Sequence, residues 1–427
     1  MGGLIMKLVA LSLFGLTYAL LLIFPKIRAY IALASASIFV ILGILPVGKV
    51  FSTVDWNVIM MIAGTMGIVS LFVESKMPAL LADLIIEKTP NVKWAIVSLA
   101  LFAGFISAFV DNVATVLMVA PVAMDISKKL KISPVNSLIA IAIASNLQGA
   151  ATLVGDTTSI LLGGHADLTF LDFFFFRGEF GMFWIVQASA IASTFVLLHL
   201  FRKDDQPINV SDRTEVHDYF PTVLLVGMVV LLIIASFLPN MPKTINGIIC
   251  VGLFAIGLLR SYIKNKDLQV FKRAFDDIDF FTILLLAGLF VVIGGITEAG
   301  VVKDISNFFV KVSKDNIFVV YTLIVWAPVL FSAFIDNIPY VATMLPVVGG
   351  IASILNVEPY LLYFGLLSGA TLGGNLTPIG ASANITALGI LRKDGHEVSA
   401  KQFMKISVPF TLVAVVVGYV LVWLIWS

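Results

Sequence analysis

The chain is written twice. Residues 107–121 read SAFVDNVATVLMVAP and residues 332–346 read SAFIDNIPYVATMLP; without a gap they agree at seven of fifteen positions, among them Asp111/Asp336, Asn112/Asn337 and Pro121/Pro346. The same offset of 225 lays SNLQGAATLVGDTTS (145–159) on ATLGGNLTPIGASAN (370–384), pairing Gly149 with Gly374, Thr152 with Thr377 and Gly155 with Gly380. An offset of 224 superposes Asp55 on Asp279, Gly64 on Gly288 and Glu74 on Glu298. One single-residue indel therefore relates two halves, and whatever one half folds into, the other must fold into as well.

The solvent follows from composition. Hydrophobic residues make up 59% and charged residues 12%, with a mean hydropathy of +1.04. Near-continuous apolar runs such as 219–238 and 406–426 are long enough to cross a bilayer as helices. An integral, multi-pass, all-α membrane protein is expected, in the plasma (inner) membrane with the lipid bilayer as its surroundings. The net charge of +1 gives no reason to expect a nucleic-acid partner, and the single Cys250 supports neither a disulfide framework nor a thiolate metal cluster. No cofactor is expected beyond a coupling ion. The first apolar run, 4–24, reads as a retained span, because no A-x-A-like cleavage site follows it.

About ten spans are expected, near 4–24, 29–46, 55–74, 135–165, 182–201, 219–238, 244–260, 279–298, 358–391 and 406–426. Segments 94–128 and 316–350 each carry a polar Asp-Asn pair near the middle and read as re-entrant hairpins. Five crossings precede the second half, an odd number, so the halves read as two inverted-topology repeats: 1–201, a linker at 202–218, and 219–427. Of the 27 Lys and Arg, twenty fall on the side holding the linker and seven on the other. By the positive-inside bias the linker side is cytoplasmic and both termini are outside.

The glycine-rich stretches 149–158 and 373–384 lie inside apolar spans, where a backbone break is tolerated only if the freed groups face protein or a water-filled cavity. Both spans are expected to be broken helices, exposing carbonyls of one half-helix and amide N–H groups of the other to a cation and a polar solute. The candidate binding residues are Asn146, Gly149, Thr152, Gly155, Asp156 and Thr157 in the first break, with Gly374, Asn375, Thr377, Gly380, Ser382 and Asn384 in the second. Asp111, Asn112 and Thr115 join them from the first hairpin, and Asp336, Asn337 and Thr343 from the second. A Na+ ion is expected at Asp111, Asn112, Asp156, Asp336 and Asn337; the coupling ion is Na+ or H+. An intramembrane carboxylate costs about 2.5–3.5 kcal/mol on insertion scales and is functional by default. The plainer reading is that Asp111 and Asp336 cap a short helix, and that Gly, Ser and Thr line helix contacts.

The hairpin motifs DNVATVLMVAP and DNIPYVATMLP, the breaks ATLVGDTTSILLG and GGNLTPIGASANITALGI, and LLLAGLFVVIGGITEAGVV (284–302) together resemble the ion-transporter superfamily, in its branch of arsenite permeases, sodium/proton antiporters and P-proteins. The resemblance implies a scaffold with a transport domain, often as a homodimer. It implies a secondary-active transporter moving an arsenite-like weak acid, an anion or sodium against an H+ or Na+ gradient. The related divalent-anion/sodium symporters carry Ser-Asn-Thr at the hairpin tips; Asp111-Asn112 and Asp336-Asn337 depart from that, which weighs against dicarboxylates. Sodium-coupled symport of a dicarboxylate or another anion is the alternative.

Two other classes compete. Intramembrane aspartyl proteases bury paired aspartates, one in Gly-x-Gly-Asp, but Leu153 stands where the first glycine belongs, so no enzyme is expected. An ion channel also uses broken helices, yet hairpins opening from opposite sides suit alternating access better. The four histidines lie near span ends or in loops. Glu74 and Glu298 are expected in structural hydrogen bonds, and Phe173–Phe176 with Arg177 at the lipid interface.

Overall fold

The computed structural model describes residues 2–208, 213–266, 269–333 and 337–427. They are nearly all helix. The first half holds α1 (Gly2–Ile23), α2 (Arg28–Ile41), α3 (Val47–Thr53), α4 (Trp56–Glu74), α5 (Met77–Ile86), α6 (Val92–Ser107), α7 (Asn112–Leu130), α8 (Val135–Gln148), α9 (Thr157–His165) and α10 (Met182–Leu200). The second holds α11 (Phe220–Phe237), α12 (Ile245–Asn265), α13 (Gln269–Asp276), α14 (Phe280–Glu298), α15 (Val301–Ser313), α16 (Ile317–Ser332), α17 (Asn337–Leu355), α18 (Tyr360–Gly373), α19 (Ser382–Lys393) and α20 (Ala400–Trp426). Two short strands, β1 (Phe175–Phe176) and β2 (Glu179–Phe180), pair antiparallel. Arg177 and Gly178 between them both have positive φ, 53° and 88°, the backbone a two-residue hairpin turn requires.

Matched positions end matched helices. Helices α6, α7 and α8 share both boundaries with α16, α17 and α18 at offset 225, and α4 shares both with α14 at 224. Asn91 caps α6 by accepting from Trp94 N at 3.1 Å; Asn316 caps α16 from Phe318 N at 3.0 Å. Even single left-handed residues recur: Lys131 and Asn356 after α7 and α17 (φ 55° and 53°), Lys76 and Gly300 before α5 and α15 (φ 60° and 78°).

The halves interlock rather than sit side by side. Helix α4 packs on α12 of the other half, and α14 packs on α2. Matched glycines make both crossings close: a Cβ at Gly64 would lie 2.6 Å from Cys250 Cβ, and one at Gly288 would lie 2.7 Å from the Ala32 carbonyl carbon. Small residues that let backbones approach are the usual means of packing helices where lipid removes the hydrophobic drive. Matched Glu74 and Glu298 end in ion pairs, with Arg273 at 3.8 Å and Lys49 at 2.7 Å.

At the centre stand α8 and α18, buried along nearly their whole length. Largely apolar, they are covered on every side. Helices α6, α7 and α20 cover α8, and α16, α17 and α20 cover α18. The linker straps the outside: Val92 N donates to Gln206 O (3.0 Å), Lys93 N to Asp204 O (2.8 Å), and Arg213 pairs with Glu87 at 2.8 Å.

Eight helices among the described residues are long and apolar enough to cross a membrane, or nine if α15 and α16, bent by 115°, form one span. Seven of the ten expected spans are among them. The expected 29–46 span is only the 14-residue α2, and 135–165 and 358–391 each divide at their glycines. Helix α17, read from the sequence as a hairpin arm, is long and apolar enough to be the eighth.

Candidate functional site

Both central helices break where glycine interrupts the apolar run. Residues 149–156 are non-helical, with Asp156 capping α9; after α18 a 3-10 turn, Gly374–Leu376, and five further residues lead into α19. The freed groups are satisfied in the same way twice. Thr152 Oγ1 donates to the Ala108 carbonyl and Thr377 Oγ1 to the Ala333 carbonyl, tying each break to the end of α6 or α16. Ser159 Oγ donates to Gly149 O at 3.0 Å, and its counterpart Asn384 Nδ2 to Gly374 O at 3.1 Å. Gly155 and Gly380 leave no room for a side chain. A Cβ at Gly155 would stand 2.7 Å from Gly149 O and 3.0 Å from Ala108 O; at Gly380 it would stand 2.6 Å from both Gly374 O and Ser332 O.

An amide network joins the breaks. Asn112 Nδ2 donates to Asn146 Oδ1 (2.9 Å), and Asn146 Nδ2 donates to Thr371 O (2.9 Å) and Asn375 Oδ1 (3.1 Å). Asn375 Nδ2 donates in turn to Ile143 O at 2.9 Å. Thr158 Oγ1 donates to Asp156 Oδ2 at 2.9 Å, so the 3.0 Å contact between the Thr158 and Thr371 hydroxyls has Thr371 as donor. Asp156 is 7% exposed, and its Oδ1 accepts from Thr157 N at 2.8 Å at the start of α9.

The α6–α7 junction and the ends of α16 and α17 add groups of two kinds. Asp111 is half-buried and caps α7, its Oδ1 accepting from Val113 N (3.0 Å) and Ala114 N (3.1 Å), as the plainer reading held. Asp336 lies outside the described residues, and Asn337 begins α17. Two matched serines that sequence reasoning passed over end the helices beside them. Ser107 and Ser332 are 0% and 1% exposed, and neither hydroxyl has a hydrogen-bond partner among the described residues; the same is true of Asn384 Oδ1. Buried polar atoms without partners are rare enough to need a reason. The signal was present, since these serines open both duplicated motifs.

Not every expected residue joins this centre. Thr115 Oγ1 turns back to Asp111 O at 2.9 Å. Thr343 is bonded to Tyr18 of α1, whose hydroxyl also donates to Pro339 O at 2.7 Å. Ser382 is exposed at the first turn of α19 while its counterpart Thr157 is buried. No Lys or Arg is among the residues bonded here, and no group of three His, Cys, Asp or Glu able to hold a metal occurs among the described residues. The arrangement offers oxygen atoms and helix-start amides, chemistry for a cation and a small polar solute.

The sequence profile of the citrate transporter family matches residues 18–369. An uncharacterized transporter of Mycobacterium tuberculosis is 31% identical, with 98% of each chain aligned. The P protein of Mus musculus is 26% identical across 91% of this chain and 56% of its own length, in keeping with the resemblance drawn from the hairpin and break motifs. The fold is similar to the crystal structure of the Alcanivorax borkumensis YdaH transporter, with a TM-score of 0.62 and 14% identity over 88% of this chain and 86% of that one. With its sequence matched from α1 to α18 and its helices arranged as in a known transporter, the chain belongs to the citrate transporter family and is a multi-span membrane transporter.

Proposed function

We propose that the protein is a secondary-active transporter that moves a small solute by alternating access, coupled to Na+ or H+. One observation carries the reading: two matched helix breaks lie against the ends of α6 and α16, each ending in a buried serine hydroxyl with no partner among the described residues. A cation fits among Ser107 Oγ, the Asp111 and Asp156 carboxylates and the Asn112 carbonyl oxygen in one half. In the other half the matching oxygens are those of Ser332 Oγ, Asn384 Oδ1 and Asn337, while Asp336, the sequence counterpart of Asp111, lies outside the described residues. Backbone carbonyls of unwound helix serve the same end in transporters built from inverted repeats. The solute meets the amide N–H groups that open α9 and α19 and the hydroxyl of Thr157.

With no basic side chain at the centre, the solute that suits it best is a small weak acid of the arsenite kind, a singly charged anion, or sodium itself in exchange for protons. The second reading is cation-coupled carboxylate transport, favoured by the citrate transporter family match. A carboxylate with several charges then needs the coupling cations to neutralise it. The hairpin and broken helix of each half move as one unit against the other spans, the halves inverted about the membrane plane. The linker 202–218 is cytoplasmic and both termini are outside, following the skew of basic residues. A homodimer is the expected assembly.

The test is flux in proteoliposomes. Counterflow of arsenite, phosphate, succinate and citrate is measured under imposed Na+ or pH gradients. Counterflow of one solute that stops when the gradient is collapsed supports the proposal; ion currents at channel rates without counterflow overturn it.

A further inference from the structure

The two halves own the same parts but do not hold them alike. Helix α9 is buried without interruption from Thr157 to Gly163, whereas in α19 only Ala383, Asn384, Ala387 and Leu391 are buried. Matched apolar residues show the difference most sharply. Val154 and Ile160 are each 3% exposed; their counterparts Ile379 and Ile385 are 61% and 53% exposed. Each pair is apolar in both halves, so these two positions are covered in one half and open in the other.

The difference has a structural origin at two helix starts. Asp55 caps α4 by accepting from Val58 N at 3.0 Å, and Asp279 caps α14 by accepting from Thr282 N at 2.9 Å. Helix α9 packs against α4, while no comparable packing joins α19 to α14 among the described residues. Gly164 makes the first contact possible: a Cβ there would stand 2.5 Å from Asp55 Oδ2 and 2.6 Å from Val58 Cγ2. Gly389, 225 positions later, has no described atom within 4 Å of its Cβ position. Asp55 is half-buried and Asp279 exposed. Glycine inside a helix is a liability unless something must come close. At Gly164 that need is met, and at Gly389 it is not.

We propose that Gly389 is the contact residue of a second seat, the Asp279-capped start of α14, which receives α19 when α9 leaves the Asp55-capped start of α4. The inference rests on the alternating-access reading and supplies its lock: one seat is filled at a time. Helix α4 starts on the side poor in basic residues and α14 on the side rich in them. The conformation with α9 seated is therefore open toward the cytoplasm, and the one with α19 seated opens outward. On that exchange Ile379 and Ile385 are covered, and Val154 and Ile160 come to face the pathway.

Two cysteine pairs in a Cys250→Ala background test this: Val58→Cys with Gly164→Cys, and Thr282→Cys with Gly389→Cys. A disulfide needs Cβ atoms about 3.5–4.5 Å apart, so each pair closes only when its seat is filled. After oxidation in membranes, each closed pair removes two maleimide-polyethylene-glycol additions per chain. Both pairs should close separately, and a chain carrying all four cysteines should close one pair and never both. With the first pair closed, Ile379→Cys should react with an impermeant maleimide from the cytoplasmic side; with the second closed, its labelling should fall at least tenfold. A second pair that never closes, or two pairs closed in one molecule, overturns the proposal. Gly389→Leu, placed in open space, guards against misfolding at Gly164. It should leave Ile379→Cys maximally labelled under every ion condition, and unchanged protection counts against the second seat. None of these readouts needs a known solute, so absence of flux with every solute tried strikes the transport reading and leaves the seats judged by the disulfides alone.

Discussion

Asn146 Nδ2 donates to the carbonyl oxygen of Thr371 at 2.9 Å, and the two residues are separated by 225 positions, the period of the duplication. Matched positions touch each other only where a symmetry axis passes between them, as in an isologous contact between identical subunits. The buried centre of the protein is thus the place where its two halves meet, and a change on one side is felt directly by the other.

The first prediction concerns this network. Asn146→Ala strands the Asn112 amide and the Asn375 oxygen in a buried setting and should cost about 1–3 kcal/mol. Asn375→Ala should not add to it. A double-mutant cycle by denaturant unfolding in detergent should return a coupling of about 0.5–3 kcal/mol, and simple additivity would show that the network is not one unit.

Asp111 separates capping from charge. Asp111→Ala removes the α7 cap and should lower stability by about 1 kcal/mol, whereas Asp111→Asn keeps an accepting oxygen and should leave stability nearly unchanged. If the carboxylate holds the coupling cation, the Asn variant still loses cation dependence in proteoliposomes. A folded Asn variant with unaltered cation dependence would confine Asp111 to capping.

Gly155 and Gly380 admit no β-carbon because carbonyl oxygens of the break and the hairpin end surround them. Gly155→Val and Gly380→Val should each cost about 1–3 kcal/mol by overpacking and abolish transport. Thermal melting read beside flux decides the matter, and full activity in either variant would show that the hairpin end does not need to lie on the break.

Sidedness is open to labelling. In a chain lacking Cys250, His217→Cys before α11 and Asn240→Cys after it, both exposed, should react with impermeant maleimide from opposite faces. Reaction of both from outside would remove the basis for inverted halves.

Asp218 sets a pH-dependent contribution outside the spans. Its partial burial pushes the carboxyl up, but hydrogen bonds from Arg260, Phe220 N and Lys264 hold it down at about 2. An unfolded aspartate titrates near ~3.9, so the folded value is depressed. The stabilisation is therefore complete above about pH 5 and fades as pH falls through about 4 toward 2. The difference in melting midpoint between the parent chain and Asp218→Asn should narrow over that window, and more so at low salt, since the pair is partly exposed. A difference independent of pH would assign the effect to packing.

The helix breaks were legible because polar and glycine residues inside a long apolar run have few physical explanations, and two matched copies leave fewer. Ser107 and Ser332 were not singled out, since a lone serine in an apolar helix looks like a packing residue until its missing partner is seen. Thr343 went the other way: one turn inside a hairpin arm it looked available, but Tyr18 reaches it from α1, more than three hundred residues earlier. The short helices α3, α5, α13 and α15 carried no span-length signal and were not foreseen.

What the sequence by itself determined is the solvent, the helices and the repeat. Composition, apolar run length and a constant offset are properties of the chain that no packing arrangement alters. The tertiary structure decided how the packing of the two related halves differs. Gly164 and Gly389 are the same residue in the same local sequence position, yet one is pressed against Asp55 and the other stands free. Whether each helix is seated is a question of space in the assembled molecule, which the match of Gly164 with Gly389 does not settle.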